Sequence, residues 1–179
     1  MRAIATLAFA LAATPAFAAG SLYDSHFAER GGAWPCYART YDKAHLSAHP
    51  DQKVRQFFAT ANAAEGRDGD GAFYLAFGFV LRDSDERFSS EARCTPRGDG
   101  AACQTEGDGG SFTLAPRPDG VLLEVDDFLA VEGPETFSPD LAESDDRAFR
   151  LYPSEAGACA HDWGDPGGSS VGPSLNRPG

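Results

Sequence analysis

Phe73-Tyr74-Leu75-Ala76-Phe77-Gly78-Phe79-Val80-Leu81-Arg82 alternates with a period of two. Its odd positions, Phe73 to Leu81, are all large and apolar, while the even ones are Tyr74, Ala76, Gly78, Val80 and Arg82. Successive side chains of a strand point to opposite faces, so this run predicts a strand with one face in a core. Gly78 in mid-strand predicts a bulge or bend of the kind a curved or closed sheet needs. The same period recurs on both sides. Phe112 and Leu114, then Val121, Leu123 and Val125, flank Pro118-Asp119-Gly120 and predict a hairpin over residues 111–126. Proline presets φ in that turn and glycine accepts positive φ.

Phe149 and Leu151 mark a late strand, Phe88 to Arg93 a more polar one, and Lys53 to Thr60 a β-compatible stretch of ambiguous phase. Tyr41 to His49 reads as a short helix, with Asp42 as its N-cap and Pro50 as its stop. Residues 133–146, with Pro134, Pro139 and five acids, read as an exposed loop. The expected fold is therefore all-β with one short N-terminal helix: a single antiparallel β-barrel or β-sandwich, stapled by disulfides. The strand pattern leaves barrel and sandwich open.

The N-terminus carries Arg2, an apolar run from Ala3 to Ala13, Pro15 and then Ala16-Phe17-Ala18. That is the pattern of a signal peptide cut after Ala18, and the run is shorter than the roughly 20 apolar residues of a membrane anchor. The organisation expected is 1–18 signal peptide, 19–33 flexible lead-in, 34–159 a single β domain, and 160–179 a disordered tail. Export to the periplasm or beyond, with no membrane insertion after cleavage, follows from that leader. Four cysteines in an exported chain read as two disulfides. Of three pairings, the short Gly-rich loop favours Cys94–Cys103, which leaves Cys36–Cys159.

After cleavage, 14 basic side chains face 27 acidic ones, a net charge of −13. Such acidity argues against nucleic acid and anionic lipid as partners, which need a basic footprint. Cationic proteins, neutral ligands and metal ions remain.

Reactive residue types concentrate between Cys36 and Pro50. On a helix, His45 and His49 share a face and could grip one metal ion. A zincin would need glutamate at position 46 as general base, and Leu46 stands there, which excludes that metalloprotease. A two-His site would need a further ligand, such as His26 or His161. Residues 67–71 hold two aspartates, but an EF-hand register would put Gly66 and Phe77 at ligand positions, so a turn is expected. Glu106, Asp108, Glu124, Asp126 and Asp127 could in principle supply paired carboxylates. No G-x-S-x-G elbow or phosphate loop is present, and oxidised cysteines offer no thiolate. No catalytic residue and no cofactor are assigned. Arg39, Tyr41, His45 and His49 are the expected ligand-binding residues.

Cys36-Tyr37-x-Arg39-x-Tyr41, His45-Leu46, His49-Pro50-x-Gln52-x-Val54 and Asp108-Gly109-Gly110-x-Phe112 together resemble an uncharacterised family of small exported bacterial proteins. The resemblance covers most of residues 34–159, implies a unit of structure, and transfers no activity and no site. In general shape a small exported disulfide-bonded β-barrel is also similar to periplasmic lysozyme inhibitors, an analogy of fold alone with no matching inhibitory motif. The function expected is a non-enzymatic β-scaffold binding module of unknown ligand, with a cationic protein as the partner that suits the charge. The alternative is a metal-binding protein or hydrolase using His45 and His49, and an envelope structural protein is a third reading.

Overall fold

A computed structural model describes residues 21–62, 65–133 and 136–160. The expected signal peptide and residues 161–179 of the expected tail lie outside them. Among the described residues the chain forms eight strands: β1 (Cys36–Thr40), β2 (Val54–Ala61), β3 (Phe73–Leu81), β4 (Arg87–Arg97), β5 (Gly100–Thr105), β6 (Gly110–Arg117), β7 (Gly120–Leu129) and β8 (Ala148–Ser154). A six-residue helix, α1 (Lys43–Ala48), joins β1 to β2. Each strand pairs antiparallel with the next, and β1 pairs with β8, so the sheet closes into a barrel. Closure removes the two free edges that an open sheet of these strands would expose.

The alternation read in the sequence points inward. Phe57, Phe77, Phe79, Phe88, Phe112 and Phe149 are all fully or almost fully buried. Their rings stack through the middle: Phe57 lies 4.3 Å from Phe149, and Phe77 lies 5.1 Å from Phe112. Leu22 and Phe27, from the segment expected to be a loose lead-in, are buried as well. Phe27 packs 5.7 Å from Phe73 and 5.3 Å from Tyr37, beside the starts of β3 and β1. Leu129, Val131 and Leu141 join the core from the end of β7 and the segment after it. The interior is thus filled by side chains. Outward positions such as Arg93, Gln104, Glu124, Asp126 and Arg150 are polar, the inverse of a membrane-spanning barrel. Among the described residues no helix is long and apolar enough to cross a membrane.

Gly78 corrects the sequence reading in detail. The register runs unbroken past it on both sides, Phe58↔Gly78 and Gly78↔Ser89, so no bulge lies there. A Cβ at this position would stand 2.5 Å from the Phe58 ring and 2.4 Å from the Phe88 carbonyl oxygen. Glycine is needed because the Phe88 backbone and the Phe58 ring both close on the strand here. Ala76 and Val80, on the same face as Gly78, are buried too. Phe58 belongs to a small outer cluster with Cys36, Ala38 and Cys159. The irregularities fall elsewhere, between Val54 and Gln56 and between Gly110 and Phe112.

Both expected disulfides are present, Cys36–Cys159 and Cys94–Cys103. The first ties β1 to the turn after β8, and the second crosses directly paired positions of β4 and β5. Their sequence separations are 123 and 9 residues. In the loop-closure picture these correspond to about 5 and about 2.5 kcal/mol of stabilisation.

Of residues 133–146, expected to be an exposed loop, the described stretch from Ser138 to Asp146 is anchored. Asp146 is buried, and its carboxylate accepts from the Lys53 amide at 2.6 Å, the Val54 amide at 3.2 Å and the Ser144 hydroxyl at 2.9 Å. Asp140 accepts from the Leu129 amide, and Ser138 accepts from that of Val131. Buried backbone donors need partners, and this acid-rich segment supplies them.

Phe57→Ala should lower the unfolding free energy by about 3–5 kcal/mol, read by urea unfolding. Gly78→Ala should cost about 1–3 kcal/mol by the same measurement, since the Phe88 backbone and the Phe58 ring must both give way. A neutral result there would remove the close-approach account. Burial holds the Asp146 carboxyl above the usual aspartate value despite its hydrogen bonds. The folded pKa exceeds the unfolded one, so the stabilising contribution is complete below about pH 3.9 and is lost as pH rises through the folded value. The stability of the protein relative to Asp146→Asn should therefore fall as pH rises above about 4. Parallel stability curves for the two would contradict that sign.

Candidate functional site

The segment singled out in the sequence forms one continuous stack. Arg39 and Tyr41, two positions apart at the end of β1, point the same way. The Arg39 guanidinium lies 5.0 Å from the Tyr41 ring centre and 5.3 Å from that of Tyr152 on β8. Tyr41 stacks on His45 at 4.6 Å, and His45 on His49 at 4.4 Å, each pair tilted by 25°. The structure thus brings together all four expected residues and adds Tyr152. Arg150, 6.0 Å from the Tyr152 ring and paired with Asp119 at 2.6 Å, extends the row.

Helix α1 is too short to hold itself in water. Two side chains fix it. Asp42 accepts from the His45 amide at 2.7 Å, which is the cap expected from sequence. At the other end Arg82, just past β3, donates to the carbonyls of Leu46, His49, Pro50 and Gln52 at 3.1–3.2 Å. One guanidinium thereby satisfies carbonyls that a helix end leaves open.

This geometry bears on the chemistry open to the row. His45 Nε2 lies 3.0 Å from Gln52 Oε1, whose amide donates to the Val54 carbonyl. Gln52 Oε1 can only accept, so Nε2 is the donor in this contact. His26 lies in the lead-in, 5.9 Å from Tyr37, with Nδ1 2.8 Å from the Ser25 hydroxyl. It sits by the start of β1, whereas His45 follows its end. His161 is outside the described residues. Burial pushes the Tyr41 phenol above its usual value, so it stays neutral around pH 7.

Of the other acidic candidates, Glu106 and Asp126 line one surface hollow together with Arg93, and Glu106 and Asp108 line another. Asp68 and Asp70 both pair with Arg93, at 3.0 and 2.7 Å, and form the turn expected before β3. Asp126 accepts from the Ser111 hydroxyl on the outer face. Glu106 and Asp108 sit in the β5–β6 connection.

Sequence reading missed a second feature. Phe128 and Phe137, 41% and 63% exposed, are the exposed large hydrophobic residues among those described. Phe128 interrupts the alternation of β7, with Asp126 and Asp127 before it, and Phe137 stands alone in the acid-rich segment. An aromatic ring where the pattern calls for a polar residue was the available signal. No protein-family model matches the chain, and comparison with curated proteins and with solved structures finds no match.

Arg82→Ala should speed exchange of the Leu46 and His49 amides by about tenfold or more while leaving β3 protected. Unchanged exchange would mean that α1 does not depend on this guanidinium.

Proposed function

We propose that this is an exported, non-enzymatic recognition protein that binds a cationic protein on the outside of the barrel. The observation that carries this reading is the interior itself. It is packed with phenylalanine rings where a small-molecule carrier needs a cavity. Recognition then falls to the surface, whose net negative charge favours a basic partner and speeds encounter with it. Two disulfides fit an oxidising compartment. With the signal-peptide pattern of residues 1–18, they support a periplasmic or secreted location.

Within this reading the Arg39–Tyr41–His45–His49 row is a rigid ridge. Its inner ring faces are occupied by one another, with His49 exposed at the end, and Arg39 carries the same sign of charge as the partner. It would border the contact and keep that end of the barrel in shape.

Titration calorimetry of the mature protein against a panel of small basic proteins, a lysozyme among them, tests the function. At low ionic strength one or more should bind, with affinity falling as salt is raised to about 0.3 M, where screening shortens to several ångströms. Absence of binding across the panel at low salt would remove the reading.

A further inference from the structure

Phe128 and Phe137 line one surface hollow, and the charged groups lining it are Glu91, Glu106, Asp108 and Glu132. The hollow lies where β5 gives way to β6 and where the chain leaves β7. We propose that it is the docking seat for an arginine- or lysine-bearing segment of a basic protein. This rests on the function proposed above and locates it.

Charge and shape choose the occupant. Exposed apolar surface rimmed by polar groups marks an interaction site. Arginine answers both halves of this one, since its planar head stacks on an aromatic face while its N–H fork meets a carboxylate. Lysine can lay its methylene stem on a ring and place its ammonium among the acids. An anionic lipid surface would be repelled by the four carboxylates, and a second copy of this acidic chain would bring its own like charge.

Both rings stand on fixed backbone. Phe137 pairs with Glu132 in an antiparallel bridge, and the neighbouring Ser138 amide donates to the Val131 carbonyl at 2.8 Å. Gly110 pairs with Leu129, the residue after Phe128, and a Cβ added at Gly110 would stand 2.0 Å from the Phe128 carbonyl oxygen. Gly110 also has φ +98°, so glycine is required there twice over. Glu91 is oriented by the Asn62 side-chain amide. A partner would meet a surface already in place, which lowers the ordering cost of binding.

The test uses the mature protein, hexa-arginine as probe and hexa-glutamate as control, with backbone amide shifts recorded at low salt. Hexa-arginine should perturb residues 106–109 and 128–132, and hexa-glutamate should not. Phe128→Ser with Phe137→Ser should weaken hexa-arginine binding by about tenfold or more, as should Glu106→Gln with Asp108→Asn, whose rings are intact. Shifts centred on Tyr41 to His49, or binding indifferent to both double variants, would overturn this seat while leaving the proposed function standing. Failure of every basic probe and protein would remove both. Self-association, or binding to phosphatidylcholine vesicles, that disappears in the Phe128→Ser, Phe137→Ser variant would reassign the face to a second copy or to lipid.

Discussion

Pairing of β1 with β8 holds only three residue pairs, Cys36↔Ser154, Tyr37↔Pro153 and Ala38↔Tyr152, yet it converts an eight-stranded sheet into a barrel. The phenylalanine interior depends on that seam, since an open sheet would leave the same rings facing water. The chain reinforces it from outside. The Cys36–Cys159 bridge sits on the first paired residue of β1, and Phe58 lies beside it, over the glycine of β3. The Arg87 guanidinium, 4.6 Å from the Phe58 ring, covers the ring in turn. A bridge across 123 residues constrains the unfolded chain most, and here it acts where the sheet has least hydrogen bonding of its own.

A filled barrel moves chemistry to its rim. The end reached by the β1–β2, β3–β4, β5–β6 and β7–β8 connections carries α1, the Arg82 cap, the aromatic row and the Phe128–Phe137 hollow. These connections are not loose. Asp140, Ser138 and Asp146 tie the longest of them to the barrel through backbone amides. The same acids that read as solvating charge are, in part, hydrogen-bond acceptors for strands they do not belong to. Two surface features of opposite character result: an arginine- and histidine-bearing row stacked ring on ring, and an acidic hollow with exposed rings.

Much of the fold was legible because it rests on local periodicity. The alternation in Phe73 to Leu81, the Pro118-Asp119-Gly120 turn and the Asp42 cap each involve residues within a few positions of one another. The disulfide pairing followed from an even count and one short loop. Gly78 was read as a bulge or bend because a glycine in a strand has several causes, and only the Phe58 ring and the Phe88 backbone beside it show the close approach. Leu22 and Phe27 were missed for the same reason. Two apolar side chains in a mixed segment show no period, and their burial depends on a space that other strands create.

By itself the sequence determined an all-β chain, the phases of β3, β6, β7 and β8, a preference among the cysteine pairings, and its acidity. Those properties are set by side-chain type and spacing along the chain. Only the tertiary structure decided that the sheet closes, that its interior is full, that Asp146 is buried, and that Phe128 and Phe137 share one acidic hollow. Each of these depends on which strand lies beside which, and on distances between residues far apart in the chain. Packing selects those distances, and no local pattern encodes them.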